Sequence, residues 1–193
     1  MRGIQAEFKT LRKLVRARIH RTAVVVPFEV FSNVEFLHID WIRSIHHEAY
    51  VPEFQNLTHI EFGYLDLERA CERLKLLKVL EQCPKIEIAV IDQELCADDE
   101  GAEDWSYPQS VPGCISLQLK KCRLTNYVGS NDEFQFARNI MQNASHLQTM
   151  TICTNTSSNE AEKRIMIEII SLCTRDLQLV NFHLNSLDLS GCK

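Results

Sequence analysis

Apolar residues along this chain recur in a short phrase, three positions apart and then two. Phe31, Val34, Leu37 and Ile39 keep it, and Phe54, Leu57, Ile60 and Phe62 repeat it 23 residues later. Phe8, Leu11 and Leu14 begin it 23 residues earlier, with Arg16 where the last apolar residue is expected. A period of about 20 to 29 residues with this rhythm belongs to leucine-rich repeats, where each strand is followed by a return segment that stacks on its neighbour. Ile86, Ala89 and Ile91 make a further phrase. Before it, Leu67, Ala70, Cys71, Leu74, Leu77 and Leu80 recur at helical spacing, predicting a return helix that ends at Cys83-Pro84.

The stretch from Trp105 to Ile152 carries more signals in sequence. Pro108 and Pro112 disfavour helix and predict an extended entry. Cys114, Leu117, Leu119, Cys122 and Leu124 follow the order L-x-x-L-x-L-x-x-C-x-L, which predicts a strand with Leu117 and Leu119 facing inward. Asn126 to Gly129 reads as a turn, and Ser130 with Glu133 predicts a capping box opening a helix. Phe134, Ala137, Ile140, Met141 and Ala144 carry that helix, and Leu147, Met150 and Ile152 return to the strand rhythm. Glu94 to Trp105 reads as an acidic loop and Asn159 to Cys173 as a helix. Leu179, Phe182, Leu184, Leu187 and Leu189 predict a last strand phrase.

Within this stretch Pro112, Cys114, Leu119, Lys120, Tyr127, Gly129, Glu133, Phe136, Ala137, Asn143, Ala144, Leu147 and Met150 stand at a characteristic order and spacing. There the chain resembles the plant F-box/FBD/leucine-rich-repeat proteins. Leu76 to Ile91 resembles the helix, C-P-K turn and strand that precede an FBD domain in that family. Repeats and resemblance together predict an α/β fold, a leucine-rich-repeat solenoid of strand plus return helix or loop, ending in an FBD domain. Residues 1–92 are expected to be irregular repeats, 93–107 an acidic linker, and 108–193 an FBD domain continuing the stack. The resemblance implies the target-recognition part of an SCF ubiquitin ligase, in which an amino-terminal F-box docks on the adaptor. No L-P-x-(apolar) phrase precedes the first repeat, so this chain is not expected to bind the adaptor itself.

Composition narrows the chemistry. At 45% hydrophobic and 24% charged residues the 193-residue chain is ordinary globular material. No apolar run approaches the length of a membrane span. Net charge is −5, yet residues 1–28 hold seven Lys or Arg against Glu7 alone. That basic stretch lacks interleaved aromatics for base stacking, so it reads as a solvated face, and neither nucleic acid nor membrane is expected as partner. Eight cysteines without C-x-x-C, and without an apolar signal core after Met1, read as reduced thiols of an intracellular protein, cytoplasmic or nuclear. No His-x-x-x-His occurs, His46-His47-Glu48 reads as a loop, and the acidic cluster from Asp98 to Asp104 misses EF-hand spacing, so no metal or cofactor is predicted.

Nor does any G-x-S-x-G, Walker loop or G-x-G-x-x-G occur. The competing reading, a small cysteine- or metal-dependent hydrolase, would need its groups gathered from distant positions. A non-enzymatic module that binds an unknown target protein is the better account. Strands with apolar residues inward present alternate residues on an open concave face. Alternation assigns Phe36, His38, Asp40, His59, Glu61, Asp92, Gln118, Lys120, Thr149 and Thr151 to that face.

Overall fold

The computed structural model describes residues 13–20, 27–40, 51–67, 69–93 and 111–154, with the backbone of 180–183. Seven strands form one sheet in chain order, a mixed α/β fold: β1 (Arg16–Ile19), β2 (Phe36–Asp40), β3 (His59–Leu65), β4 (Ile88–Gln93), β5 (Lys121–Tyr127), β6 (Thr149–Thr154) and β7 (Val180–His183). Every neighbouring pair is parallel. A parallel neighbour requires the chain to cross back, so each strand is followed by a return segment. The return before β2 includes a 3-10 turn (Phe28–Phe31). Those before β4, β5 and β6 include helices α1 (Ala70–Glu81), α2 (Gly113–Leu117) and α3 (Asn131–Asn143). No described helix is long and apolar enough to cross a membrane.

The apolar phrase has a backbone cause. Val34-Leu37-Ile39, Leu57-Ile60-Phe62, Ile86-Ala89-Ile91, Leu119-Cys122-Leu124 and Leu147-Met150-Ile152 are all buried in one core. In the three-residue step of each phrase, two successive N–H groups donate to a single carbonyl of the unit before. Glu35 and Phe36 donate to Val15 O, Thr58 and His59 to Glu35 O, and Glu87 and Ile88 to Thr58 O. Lys120 and Lys121 donate to Glu87 O, and Gln148 and Thr149 to Lys120 O. Two adjacent donors aimed the same way interrupt strict alternation, so inward residues lie three apart at strand entry and two apart beyond it.

That rule corrects two sequence expectations. The first phrase is Leu14, Ala17 and Ile19, because Ala17 pairs with Leu37 and Ile19 with Ile39. Arg16 therefore points outward rather than filling an apolar slot, and Phe8 and Leu11 lie outside the described residues. Residues 113–117 form α2 rather than strand, and Leu117 is 61% exposed. Pro112 stands at the amino-terminal edge of α2, where the missing N–H is no loss because first-turn donors have no helical partner. The inward phrase accordingly begins at Leu119. In β7, Val180 pairs with Met150 and Phe182 with Ile152, whereas Leu179, Leu184, Leu187 and Leu189 lie outside the described residues. The acidic loop from Glu94 to Trp105, the helix expected from Asn159, and His46 to Glu48 lie outside the described residues.

The helices bury what their sequences allow. In α1, Leu76, Leu77, Val79 and Leu80 face the core, while Leu74, expected inward, is 40% exposed. Arg73 takes an inward place instead. Its guanidinium donates to Leu67 O and reaches Asp132 Oδ2 at 2.8 Å, tying α1 to the first turn of α3. In α3 the predicted capping box is present: Glu133 N donates to Ser130 Oγ at 3.3 Å, and Ser130 N to Glu133 Oε2 at 2.9 Å. The buried Glu133 carboxylate also accepts from Val128 N and Gly129 N, which fixes the chain's exit from β5. Phe28 meets Phe54 edge-on at 6.0 Å between ring centroids, joining the returns of successive units.

Candidate functional site

The described return helices and turns pack on one side of the sheet through these inward positions. The opposite set comprises Arg16 and Arg18 on β1; Phe36, His38 and Asp40 on β2; His59 and Glu61 on β3; Ile88, Val90 and Asp92 on β4; Lys121, Arg123 and Thr125 on β5; and Thr149 and Thr151 on β6. Cross-strand pairing sets them in rows, Phe36 beside His59 beside Ile88 beside Lys121 beside Thr149, and His38 beside Glu61 beside Val90 beside Arg123 beside Thr151. Ile88 and Val90 are half-buried and stand between the basic Lys121 and Arg123 and the mixed charges of β1 to β3.

Eight of the ten residues assigned by alternation fall within this set. Gln118 and Lys120 do not, because the doubled donor at Lys120 and Lys121 displaces the face by one residue. Gln118 is exposed in the turn after α2, and Lys120 Nζ reaches Glu87 Oε1 at 2.7 Å beside the strand entry. Lys121, Arg123 and Thr125 take their place, together with Arg16 and Arg18, which alternation about Ala17 and Ile19 would have found. Asp92 is held by the next strand, accepting from Thr125 Oγ1 at 2.5 Å and Asn126 Nδ2 at 2.9 Å. Asn126 bends left-handed, with φ of 58°, and Tyr64 does the same at the matching point of β3.

The polar groups are most densely connected over β1 to β3. His38 Nδ1 lies 3.0 Å from Glu61 Oε2, and its Nε2 lies 3.0 Å from Asp40 Oδ1. His20, directly after β1, places Nδ1 3.5 Å from Asp40 Oδ2, and its ring centroid lies 4.8 Å from that of His38. His59 Nε2 lies 3.3 Å from Glu61 Oε1, and Arg18 reaches the same carboxylate at 3.9 Å. Phe36 is covered by the Arg16 guanidinium at 3.9 Å from its ring centroid, by Arg18 at 5.0 Å, and by the His59 ring edge-on at 4.8 Å. Burial pushes the His59 imidazole below its ordinary value; Glu61 pulls the other way, and Arg16 and Arg18 add to the lowering.

Cys83, Cys114 and Cys122 have the opposite character from a catalytic nucleophile. Burial raises Cys83, with Cys114 nearby adding to it, pushes Cys114 to about 11, and pushes Cys122 to about 12. Cys83 Sγ donates to Val79 O at 3.1 Å and Cys114 Sγ to Leu80 O at 2.9 Å. Protonated, buried sulfur of this kind packs rather than reacts.

Fold and face together define an α/β protein with, among the described residues, helices on one side of a parallel sheet and a polar, partly apolar surface on the other. Residues 107–152 match the FBD family, a stretch that takes in α2, β5, α3 and the first part of β6, and the chain is similar there to plant F-box/FBD proteins. An F-box/FBD/LRR-repeat protein of Arabidopsis thaliana is 31% identical over 97 residues, 50% of this chain and 22% of the relative. An FBD-associated F-box protein of the same plant is 30% identical over 96 residues, 49% of this chain and 23% of the relative. A further FBD-associated F-box protein is 38% identical over 52 residues, 27% of this chain and 15% of the relative. The chain thus spans less than a quarter of the length of these relatives. No solved structure matches it.

Proposed function

We propose that this chain is a leucine-rich-repeat solenoid ending in an FBD domain, and that its open sheet face docks a protein partner without catalysing a reaction. One observation carries this reading: among the described residues, only one face of a seven-stranded parallel sheet is covered. Parallel sheets ordinarily bury both faces under crossover segments, so an uncovered face is a surface in want of a partner. Its half-buried Ile88 and Val90, flanked by charged strands, have the apolar centre and polar rim of a protein interface. By analogy with the relatives' F-box names, the partner is the target of an SCF-type ubiquitin ligase, an intracellular protein, cytoplasmic or nuclear. Nucleic acid and membrane are not the partners in this reading, and the segment does not bind the F-box adaptor by itself.

A photo-crosslinking amino acid placed in turn at Lys121 and Thr151 on the open face, and at Gln142 on the outer side of α3, tests the reading in plant cell extract. Discrete adducts from 121 and 151, suppressed by excess unmodified chain and absent from 142, are expected. Adducts confined to 142, or insensitive to competition, would overturn it. Direct capture of purified adaptor by this chain would refute the separate statement about the adaptor.

A further inference from the structure

The histidines and carboxylates at the β1 to β3 end of the face go beyond what docking a protein requires. We infer that His20, His38 and Asp40 bind one divalent first-row metal ion of the zinc type. Their donor atoms, one from each residue, all lie within 4.8 Å of one another. Asp40 Oδ1 stands 3.0 Å from His38 Nε2, and Asp40 Oδ2 stands 3.5 Å from His20 Nδ1. Ligands around a tetrahedral zinc ion, with bonds of about 2.0 to 2.1 Å, are separated by about 3.3 Å. The two Asp40 separations lie on either side of that value, and the exposed His20 is the ligand that has to close in on an ion from within the 4.8 Å spread of the set.

The Glu61 contact of His38 gives a second reason. With Nδ1–H donated to the Glu61 carboxylate, the Nε2 lone pair faces an Asp40 oxygen at 3.0 Å. Two acceptors that close require a shared cation, either a proton or a metal ion. A carboxylate behind a ligating imidazole is the usual outer partner of a metal-bound histidine, fixing its tautomer and raising its basicity. The Asp40 side chain is only 6% exposed, so the polypeptide holds its carboxylate in place beside both imidazoles. Room for that carboxylate is kept by Gly63 on the adjoining strand, where an added Cβ would lie 2.8 Å from Asp40 Oδ1. The His20 side chain is 64% exposed, so a fourth coordination position opens to solvent on the same face, available to water or to a donor from a bound partner.

Calorimetric titration of the metal-stripped full chain with zinc ion, repeated with cobalt ion to read the visible absorption of a tetrahedral site, tests the assignment. One equivalent is expected to bind. His20→Gln, which alters an exposed side chain and leaves folding alone, and the isosteric Asp40→Asn should each weaken binding at least about tenfold. Gly63→Ala should weaken it as well by displacing the carboxylate, with a melting curve near that of the parent because only the end of a flexible side chain yields. His146→Gln, at an exposed histidine elsewhere, should leave it unchanged. Absence of stoichiometric binding, with the cluster then sharing only a proton, would overturn the inference. So would binding that His20→Gln and Asp40→Asn leave intact.

Discussion

Glu133 holds the junction between β5 and α3, and removing it is the most instructive single perturbation of the fold. The residue is 1% exposed, and its carboxylate accepts from three consecutive backbone donors, Val128 N at 3.1 Å, Gly129 N at 2.6 Å and Ser130 N at 2.9 Å. A hydrogen bond to a charged group contributes about 1.5 to 3 kcal/mol, and orphaning its partner costs a comparable amount. Gly129 is exposed and Val128 and Ser130 are half-buried, so water recovers part of the loss after truncation. Glu133→Ala should therefore cost about 3 kcal/mol, well below the sum of three charged bonds. Ser130→Ala removes the one bond from Glu133 N and should cost about 1 kcal/mol, the usual value of a lost cap. Glu133→Gln, which keeps one acceptor oxygen but turns an amide donor toward backbone donors, should fall between them. Urea titrations followed by far-ultraviolet circular dichroism give the three values, provided the denaturant slope is unchanged. A cost below about 1 kcal/mol for Glu133→Ala, or one no larger than that of Ser130→Ala, would refute the reasoning.

Three more outcomes follow from the same contacts. Leu119→Ala should cost about 2 to 5 kcal/mol whereas Leu117→Ala stays within about 0.5 kcal/mol, and equal costs in urea titration would contradict the strand register. Cys83, Cys114 and Cys122 should resist a thiolate-selective reagent at pH 8 and react once the chain is unfolded; rapid labelling of the native chain would show that burial does not hold these thiols protonated. Because His59 is held below its ordinary 6.5, the unfolded chain takes up that proton first as pH falls, so stability drops below pH 6.5. His59→Gln should flatten the stability profile over that range, and an unaltered slope would remove His59 as its source.

Much of this arrangement is legible in the sequence because it is local. Ser130 and Glu133 predict the capping box, since a side chain can reach only a few residues along a nascent helix. The three-then-two spacing predicts β2, β3, β4 and β6, since each inward residue answers to its own strand. What the sequence hides depends on partners in other units. Leu117 and Leu119 stand two apart, as do Cys122 and Leu124, and spacing alone does not say which pair lies in a strand. Only the sharing of Glu87 O by Lys120 and Lys121 selects Leu119 as the first inward residue. The same sharing removes Gln118 and Lys120 from the face. His20, His38 and Asp40 match no local ligand motif, and they meet because β1 and β2 align Arg18 with His38 and Ile19 with Ile39. Proximity of that kind is set by register, which a reading along the chain does not contain.

The account rests on a sheet that, among the described residues, is covered on one side and open on the other, and carbene footprinting of the native chain with residue-level mass spectrometry tests this most directly. Ile88, Val90, Lys121, Arg123, Thr125, Thr149 and Thr151 should take up label, while Ala89, Ile91, Cys122, Leu124, Met150 and Ile152 stay protected. Label appearing on Cys122, Leu124, Met150 and Ile152, or protection spread equally over both sets, would contradict it.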